Sequence, residues 1–168
     1  IAHAPECGSF LVPASEFHHI STPFNLRIKQ PHEGIDLAAP LNSLVLSAQD
    51  GRISFMGWIS GYGYTIDIEH EDGFLTRYAH LRIFRKDISV GKTVFLGQPI
   101  AYIGVSGHTT GPHLHFELYK NGKPVDPMEY IGKEIKIEKD ENQAYKYGHN
   151  VQITKEFIDK VIEELKKL

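Results

Sequence analysis

From Ser43 to Leu118 the chain is a succession of short runs rich in Val, Ile, Tyr and Phe, each cut by a turn signal. The runs are Ser43–Ala48, Arg52–Trp58, Tyr64–His70, Phe74–His80, Thr93–Leu96, Ile100–Ile103 and Leu114–Tyr119. Between them lie Gln49-Asp50-Gly51, Gly61-Tyr62-Gly63, Glu71-Asp72-Gly73, Gly91-Lys92 and Gly97-Gln98-Pro99. β-branched and aromatic side chains suit a pleated, half-buried surface, and glycine-bearing turns at this spacing leave little room for helices. Asp72-Gly73 between two alternating runs is a hairpin signal in its own right. The expectation is a mainly β fold whose antiparallel sheets form a sandwich or roll. A chain of 168 residues, 41% hydrophobic and 23% charged, has the size and composition of one domain with an appendage.

The stretch from Gly104 to Glu117 carries the most chemistry. It opens with glycines and hydroxyls, as a tight loop does, and closes as a strand through His113-Leu114-His115-Phe116. Alternate residues of a strand share a face about 6.5–7 Å apart. His113 and His115 therefore point the same way, at the mouth of a loop whose tip holds His108 and Thr109. Upstream, His32-Glu33-Gly34-Ile35-Asp36 approaches the zincin helix signature but fails it. Its fifth residue is Asp, Gly34 weakens a helix, and Pro31 and Pro40 flank it. An extended segment fits better: it sets His32 and Asp36 on one face, with Gly34 permitting close backbone approach.

A third histidine context is Tyr78-Ala79-His80-Leu81. Taken singly, a strand histidine is more often structural than functional. Taken together, these groups meet the needs of a zinc hydrolase: three protein ligands, an open position for water, and a base beside it. Cys7 is the sole cysteine, which excludes an intramolecular disulfide and a cysteine zinc knuckle and leaves nitrogen and oxygen donors. Spacing leaves open which of His113 and His115 is a ligand.

Other classes find no support. A net charge of −3 gives no case for nucleic acid, and no apolar run approaches the ~20 residues of a spanning helix. Gly61-Tyr62-Gly63 has no helix after it, as a dinucleotide loop would, and Gly104-Val-Ser-Gly-His108 lacks the second glycine of a nucleophile elbow. His18 and His19 read as a loop-borne surface pair, because neighbours on an extended chain point apart.

His32-x-Gly34-x-Asp36, Tyr78-Ala79-His80-Leu81 and Gly111-Pro112-His113-Leu114-His115-Phe116-Glu117 resemble the lysostaphin-type (LytM-type) zinc peptidases, peptidoglycan endopeptidases of bacterial cell walls. The likeness runs from about Gly8 to Ile131, with the motifs in the family's order. It implies one zinc ion held by His32, Asp36 and His115, with His80 and His113 flanking the activated water and the scissile carbonyl. It also implies a duplicated-hybrid-motif-like antiparallel fold with a groove over the sheet, peptidoglycan peptide stems as partner, and an extracytoplasmic location, periplasmic or cell-wall associated. A signal or pro-region is not expected among these residues. Two departures bear on specificity. Phe24-Asn25-Leu26-Arg27 stands where the family often has Phe-Gly-x-Arg. No tyrosine occurs between Ser21 and Asp36, where members that cleave glycyl-glycine bonds carry one. The missing tyrosine tilts the expectation toward D-alanyl-diaminopimelate cross-links.

The implied division is a tail over 1–9, a peptidase domain over 10–132 and an extension over 133–168. Phe10-Leu11-Val12 before Pro13 reads as an edge strand, Ile135–Ile137 as a further strand, and Glu138–Asn150 as a charged surface loop. An amphipathic helix is expected over about 154–167, its Phe157, Ile158, Val161, Ile162 and Leu165 on one face. That face would pack on its own chain or serve a dimer or regulatory partner. Its lysines are balanced by acids, so it has no basic face for a membrane. The competing readings are a catalytically silent wall-binding or regulatory module on the same fold, a cupin-like metal enzyme, and a lipoyl- or biotin-type carrier. The first is disfavoured by the complete five-residue set. The second wants a glutamate further along than Glu117, and the third has no Met-Lys-Met or equivalent attachment lysine.

Overall fold

The structure is a computed structural model that describes residues 10–131 and, of the chain beyond, 138–139, 144–147 and 151–154. The fold is mainly β and antiparallel, as the strand pattern predicts. Its strands are β1 (His19–Thr22), β2 (Ile35–Ala38), β3 (Leu44–Leu46), β4 (Gly51–Ile59), β5 (Gly63–Glu69), β6 (Phe74–Phe84), β7 (Thr93–Val94), β8 (Pro99–Ile103), β9 (His113–Lys120) and β10 (Lys123–Val125). They form one open sheet in the order β1-β2-β9-β6-β5-β4-β7, with β10 beside β9 and with β8 linking β3 to β6. The sheet branches at β6. The first part of β6 pairs with β9 up to Ala79↔His115, and the part after His80 pairs with β8 from Leu81↔Ile103.

The hairpin signal at Asp72-Gly73 is realised. Both residues have positive φ, 57° and 79°, and the flanking β5 and β6 pair from Glu69↔Leu75. Burial follows the period of two. On β9, Leu114, Phe116 and Leu118 are fully buried, and the facing Ile35 and Leu37 of β2 join them in the core. The side chains between them, His113, His115 and Glu117 of β9 and Asp36 of β2, lie on the other face.

Three expectations are corrected. Phe10-Leu11-Val12 is not an edge strand: the three are at most 1% exposed, and Phe10 makes a single parallel bridge to Ile131. Packing of Phe10 against His70, Phe74 and Tyr130 fixes this segment by side-chain burial rather than by a ladder. His19 opens strand β1 rather than sitting in a loop, although it and His18 are exposed. The charged stretch after Glu138 is not one loop. It contains β11 (Glu138–Lys139) and β12 (Ala144–Tyr147), and with β13 (Val151–Thr154) these make a separate three-stranded antiparallel sheet. Alternation through Ala144–Tyr147 is the signal that charge content obscured. The tail over 1–9, the strand at Ile135–Ile137 and the helix expected beyond Thr154 lie outside the described residues. No helix among the described residues is long and apolar enough to cross a membrane.

Candidate metal centre and groove

Strand register builds the centre. Asp36 on β2 lies directly across from His115 on β9, and Ala79 on β6 flanks His115 on its other side. Asp36 and His115 therefore meet as a cross-strand pair, Oδ1 to Nδ1 at 2.9 Å. His32 reaches the same point differently from the sequence expectation. It precedes β2, in a loop pinned by a bridge to Asn25, so it does not share a strand face with Asp36. Its Nε2 nonetheless lies 3.3 Å from Asp36 Oδ2. Gly34 makes this possible, because a β-carbon there would collide with the Phe116 carbonyl and with Glu117. The ligand atoms of His32, Asp36 and His115 all lie within 4.8 Å of one another.

Two nitrogens and a carboxylate oxygen form a donor set that suits zinc. The second nitrogen of each imidazole is anchored. His32 Nδ1 donates to the Pro23 carbonyl at 2.9 Å, and His115 Nε2 to Glu117 Oε2 at 2.7 Å. Such outer contacts fix which nitrogen faces the ion. The residues present therefore fit a divalent metal. Electrostatics agrees. Burial pushes the Asp36 carboxyl up, but the hydrogen bond from His115 and the charges of His115, His113 and His32 outweigh it and hold the pKa below the usual carboxylate range. Burial would push His115 down, yet its hydrogen bonds to Asp36 and Glu117 raise it to about 9. A site that concentrates this much negative charge around an imidazole is primed to exchange its proton for a cation.

His80 and His113 stand beside this set. Their ring centroids are 4.8 Å apart, and the His80 ring is 5.9 Å from that of His115. His113 Nε2 is 3.5 Å from Asp36 Oδ1, while its Nδ1 donates to the Gly111 carbonyl at 2.9 Å. His80 Nδ1 donates to the Ser106 carbonyl at 2.7 Å, which leaves Nε2 as the basic nitrogen. Burial, and then the neighbouring His113 and His115, push the His80 pKa down, opposed by the Ser106 contact. His80 is thus kept neutral near pH 7 and able to accept a proton.

His80 also has φ +60°, a conformation few non-glycine residues adopt. This is where β6 changes partner, and the backbone N–H of His80 donates to the Tyr62 carbonyl at 2.8 Å. Strain of this kind, about 1–3 kcal/mol, persists where surrounding contacts over-determine it.

The five residues share a groove of about 470 Å³. Pro31, Glu33, Gly61, Tyr62 and the loop residues His108, Thr109 and Thr110 line it with them. The glycine-rich loop is a groove wall, as its composition suggests. Gly63 and Gly107 press the 61–63 turn against that loop, and a β-carbon on either would strike backbone.

Sequence reasoning did not single out Glu117, Tyr62, Tyr119 or Arg77 as site residues. Glu117 is 1% exposed and accepts from His115, Tyr62 and Tyr119. Arg77 binds Asp67 with two bonds of 2.8 and 2.9 Å and lies 3.8 Å from Glu117. The one available signal was alternation, since Glu117 stands two residues after His115 on the same face.

Comparison with known proteins bears on this geometry. The model of peptidase family M23 matches residues 30–127, more than half of the chain. The DD-carboxypeptidase/endopeptidase Mpg of Neisseria meningitidis serogroup B is 39% identical over 129 residues, covering 73% of this chain and 29% of that protein. The peptidoglycan DD-endopeptidase ShyB of Vibrio cholerae is 38% identical over 120 residues, covering 67% of this chain and 28% of the relative. The chain thus spans under a third of either relative. A zinc-containing peptidase from Vibrio cholerae superposes with a TM-score of 0.66 at 35% identity, over 70% of this chain and 39% of that one.

Proposed function

The chain belongs to peptidase family M23, and on that premise we propose that it is a zinc endopeptidase that hydrolyses peptide cross-links of bacterial peptidoglycan. The observation that carries this reading is the convergence of His32, Asp36 and His115 within 4.8 Å beside His80 and His113. We assign the peptidase unit to residues 10–132 and treat 133–168 as an extension. Peptidoglycan peptide stems are the partner, and the site of action is extracytoplasmic.

His32, Asp36 and His115 hold the ion. Zinc bound there supplies Lewis acidity, lowering the pKa of water and polarising a carbonyl. His80 Nε2, kept neutral by burial, takes the proton from the attacking water. His80 then passes that proton to the leaving amine, while His113, held toward the centre by Gly111 and Thr109, would stabilise the developing oxyanion through Nε2–H when its ring carries a second proton. The groove walls from Pro31 to Glu33 and from His108 to Thr110 hold the peptide extended and limit water around the bond.

The cross-link cleaved is D-alanyl-diaminopimelate rather than glycyl-glycine. This rests on the lack of a tyrosine from Ser21 to Asp36 and on the DD-endopeptidase relatives. The test is digestion of purified peptidoglycan of each cross-link type, with the newly freed amino group identified. A new diaminopimelate amine is expected. Cleavage confined to glycine bridges would overturn the specificity, and no new amine from either wall would overturn the activity.

A further inference from the structure

Glu117, 1% exposed, is the most buried carboxylate near the centre and lies at the groove beside His115 and Tyr62. Its Oε2 accepts from His115 Nε2 at 2.7 Å and from the Tyr62 hydroxyl at 2.8 Å. Its Oε1 accepts from the Tyr119 hydroxyl at 2.6 Å and lies 3.8 Å from Arg77 Nη1. Arg77 is itself tied to Asp67, and its guanidinium lies over the Tyr62 ring, 5.2 Å from the ring centre. The chain of contacts thus runs from β5 through β6 to β9 and ends on one ring nitrogen of His115.

An ionised carboxylate only accepts hydrogen bonds. Opposite Glu117, therefore, His115 Nε2 must carry its proton, and the lone pair of the neutral ring sits on Nδ1. That is the nitrogen 2.9 Å from Asp36, on the side where His32 also converges. An apolar residue would fill the Glu117 volume at less desolvation cost. What it would not do is hold the Nε2 proton. The two tyrosines and the arginine in turn leave the carboxylate no freedom to rotate away.

We propose that Glu117, clamped by Tyr62, Tyr119 and Arg77, is a positioning residue that holds His115 in the Nε2–H tautomer and so sets how tightly the centre binds its metal. The proposal rests on His32, Asp36 and His115 being the zinc ligands. A merely structural Glu117 would support stability and leave metal affinity alone, so affinity is the readout.

The test is zinc competition against a chromophoric chelator, using the full chain. Wild type is expected to bind one zinc, and His115→Ala none. Glu117→Gln, which keeps the shape and removes the charge, is expected to weaken binding about 10–100-fold. Tyr119→Phe and Tyr62→Phe should weaken it less. Thermal unfolding with excess chelator reports metal-free stability for each variant. A folded Glu117→Gln protein with wild-type zinc affinity overturns the proposal, whatever its melting point. If Glu117→Gln does not fold, the tyrosine variants decide: lowered affinity supports the clamp and unchanged affinity overturns it. A wild-type chain that binds no zinc instead overturns the ligand assignment itself.

Discussion

The two faces of β9 differ in what holds them. Leu114, Phe116 and Leu118 face the core and are fully buried, and their requirement is volume and apolarity. His113, His115 and Glu117 line the groove, and each depends on a named partner outside β9: Gly111 and Thr109 for His113, Asp36 for His115, Tyr62 and Arg77 for Glu117. The core face would survive conservative repacking. The groove face fails one contact at a time, because a partly satisfied buried polar network costs more than an apolar one. One strand thus carries the core on one side and the proposed chemistry on the other.

Substitutions on the groove face should separate the two kinds of dependence. The largest effect is expected for Asp36→Ala, which should remove both zinc and hydrolysis while the β signature by circular dichroism remains. Next is His80→Ala, expected to lower kcat about 10²–10⁴-fold with zinc content unchanged. Retention of wild-type kcat would remove His80 from the chemistry.

On the core face, Phe116→Ala should cost about 3–5 kcal/mol in denaturant unfolding of the metal-free protein. The core side also has its own polar chain. His70 Nδ1 donates to the Asp50 carbonyl at 2.7 Å, and its Nε2 pairs with Thr76 Oγ1 at 2.7 Å, which in turn meets the Tyr78 hydroxyl at 2.8 Å. Burial pushes the His70 pKa down to about 4, opposed by the Asp50 contact. Between that value and the ordinary 6.5, the unfolded chain binds the extra proton. The contribution of His70 is therefore complete above pH 6.5 and shrinks as pH falls toward 4, by up to about 1.4 kcal/mol per pH unit. His70→Gln should flatten that slope, measured in chelator so that metal binding does not contribute. The smallest effect is expected at Trp58, 56% exposed on the rim of the sheet. Trp58→Ala should shift stability by no more than about 0.5 kcal/mol.

Much of this was legible from the residues, and unevenly so. The hairpin at Asp72-Gly73 and the apolar side of β9 follow from local chemistry and period-two alternation, which need no partner. The pairing of His113 with His115 on one face follows from the same rule. Register across strands does not. That Asp36 meets His115 rather than His113 depends on β2 and β9 aligning Asp36↔His115. His32 reaches the centre from a loop, through Gly34 and Asn25, where the expectation was a shared strand. Glu117, Arg77 and Tyr62 come from two strands and a turn, so no local window contains their network. Phe10 to Val12 went wrong because proline punctuation imitates an edge while burial by distant aromatics decides.

The division of labour within His113-Leu114-His115 is the point most open to direct measurement. Zinc per chain, determined by mass spectrometry on purified His113→Ala and His115→Ala proteins, tests it. The expected result is about one zinc in His113→Ala, with peptidoglycan hydrolysis lost, and none in His115→Ala. Full zinc in His115→Ala with loss from His113→Ala would contradict it, and the two histidines would exchange roles.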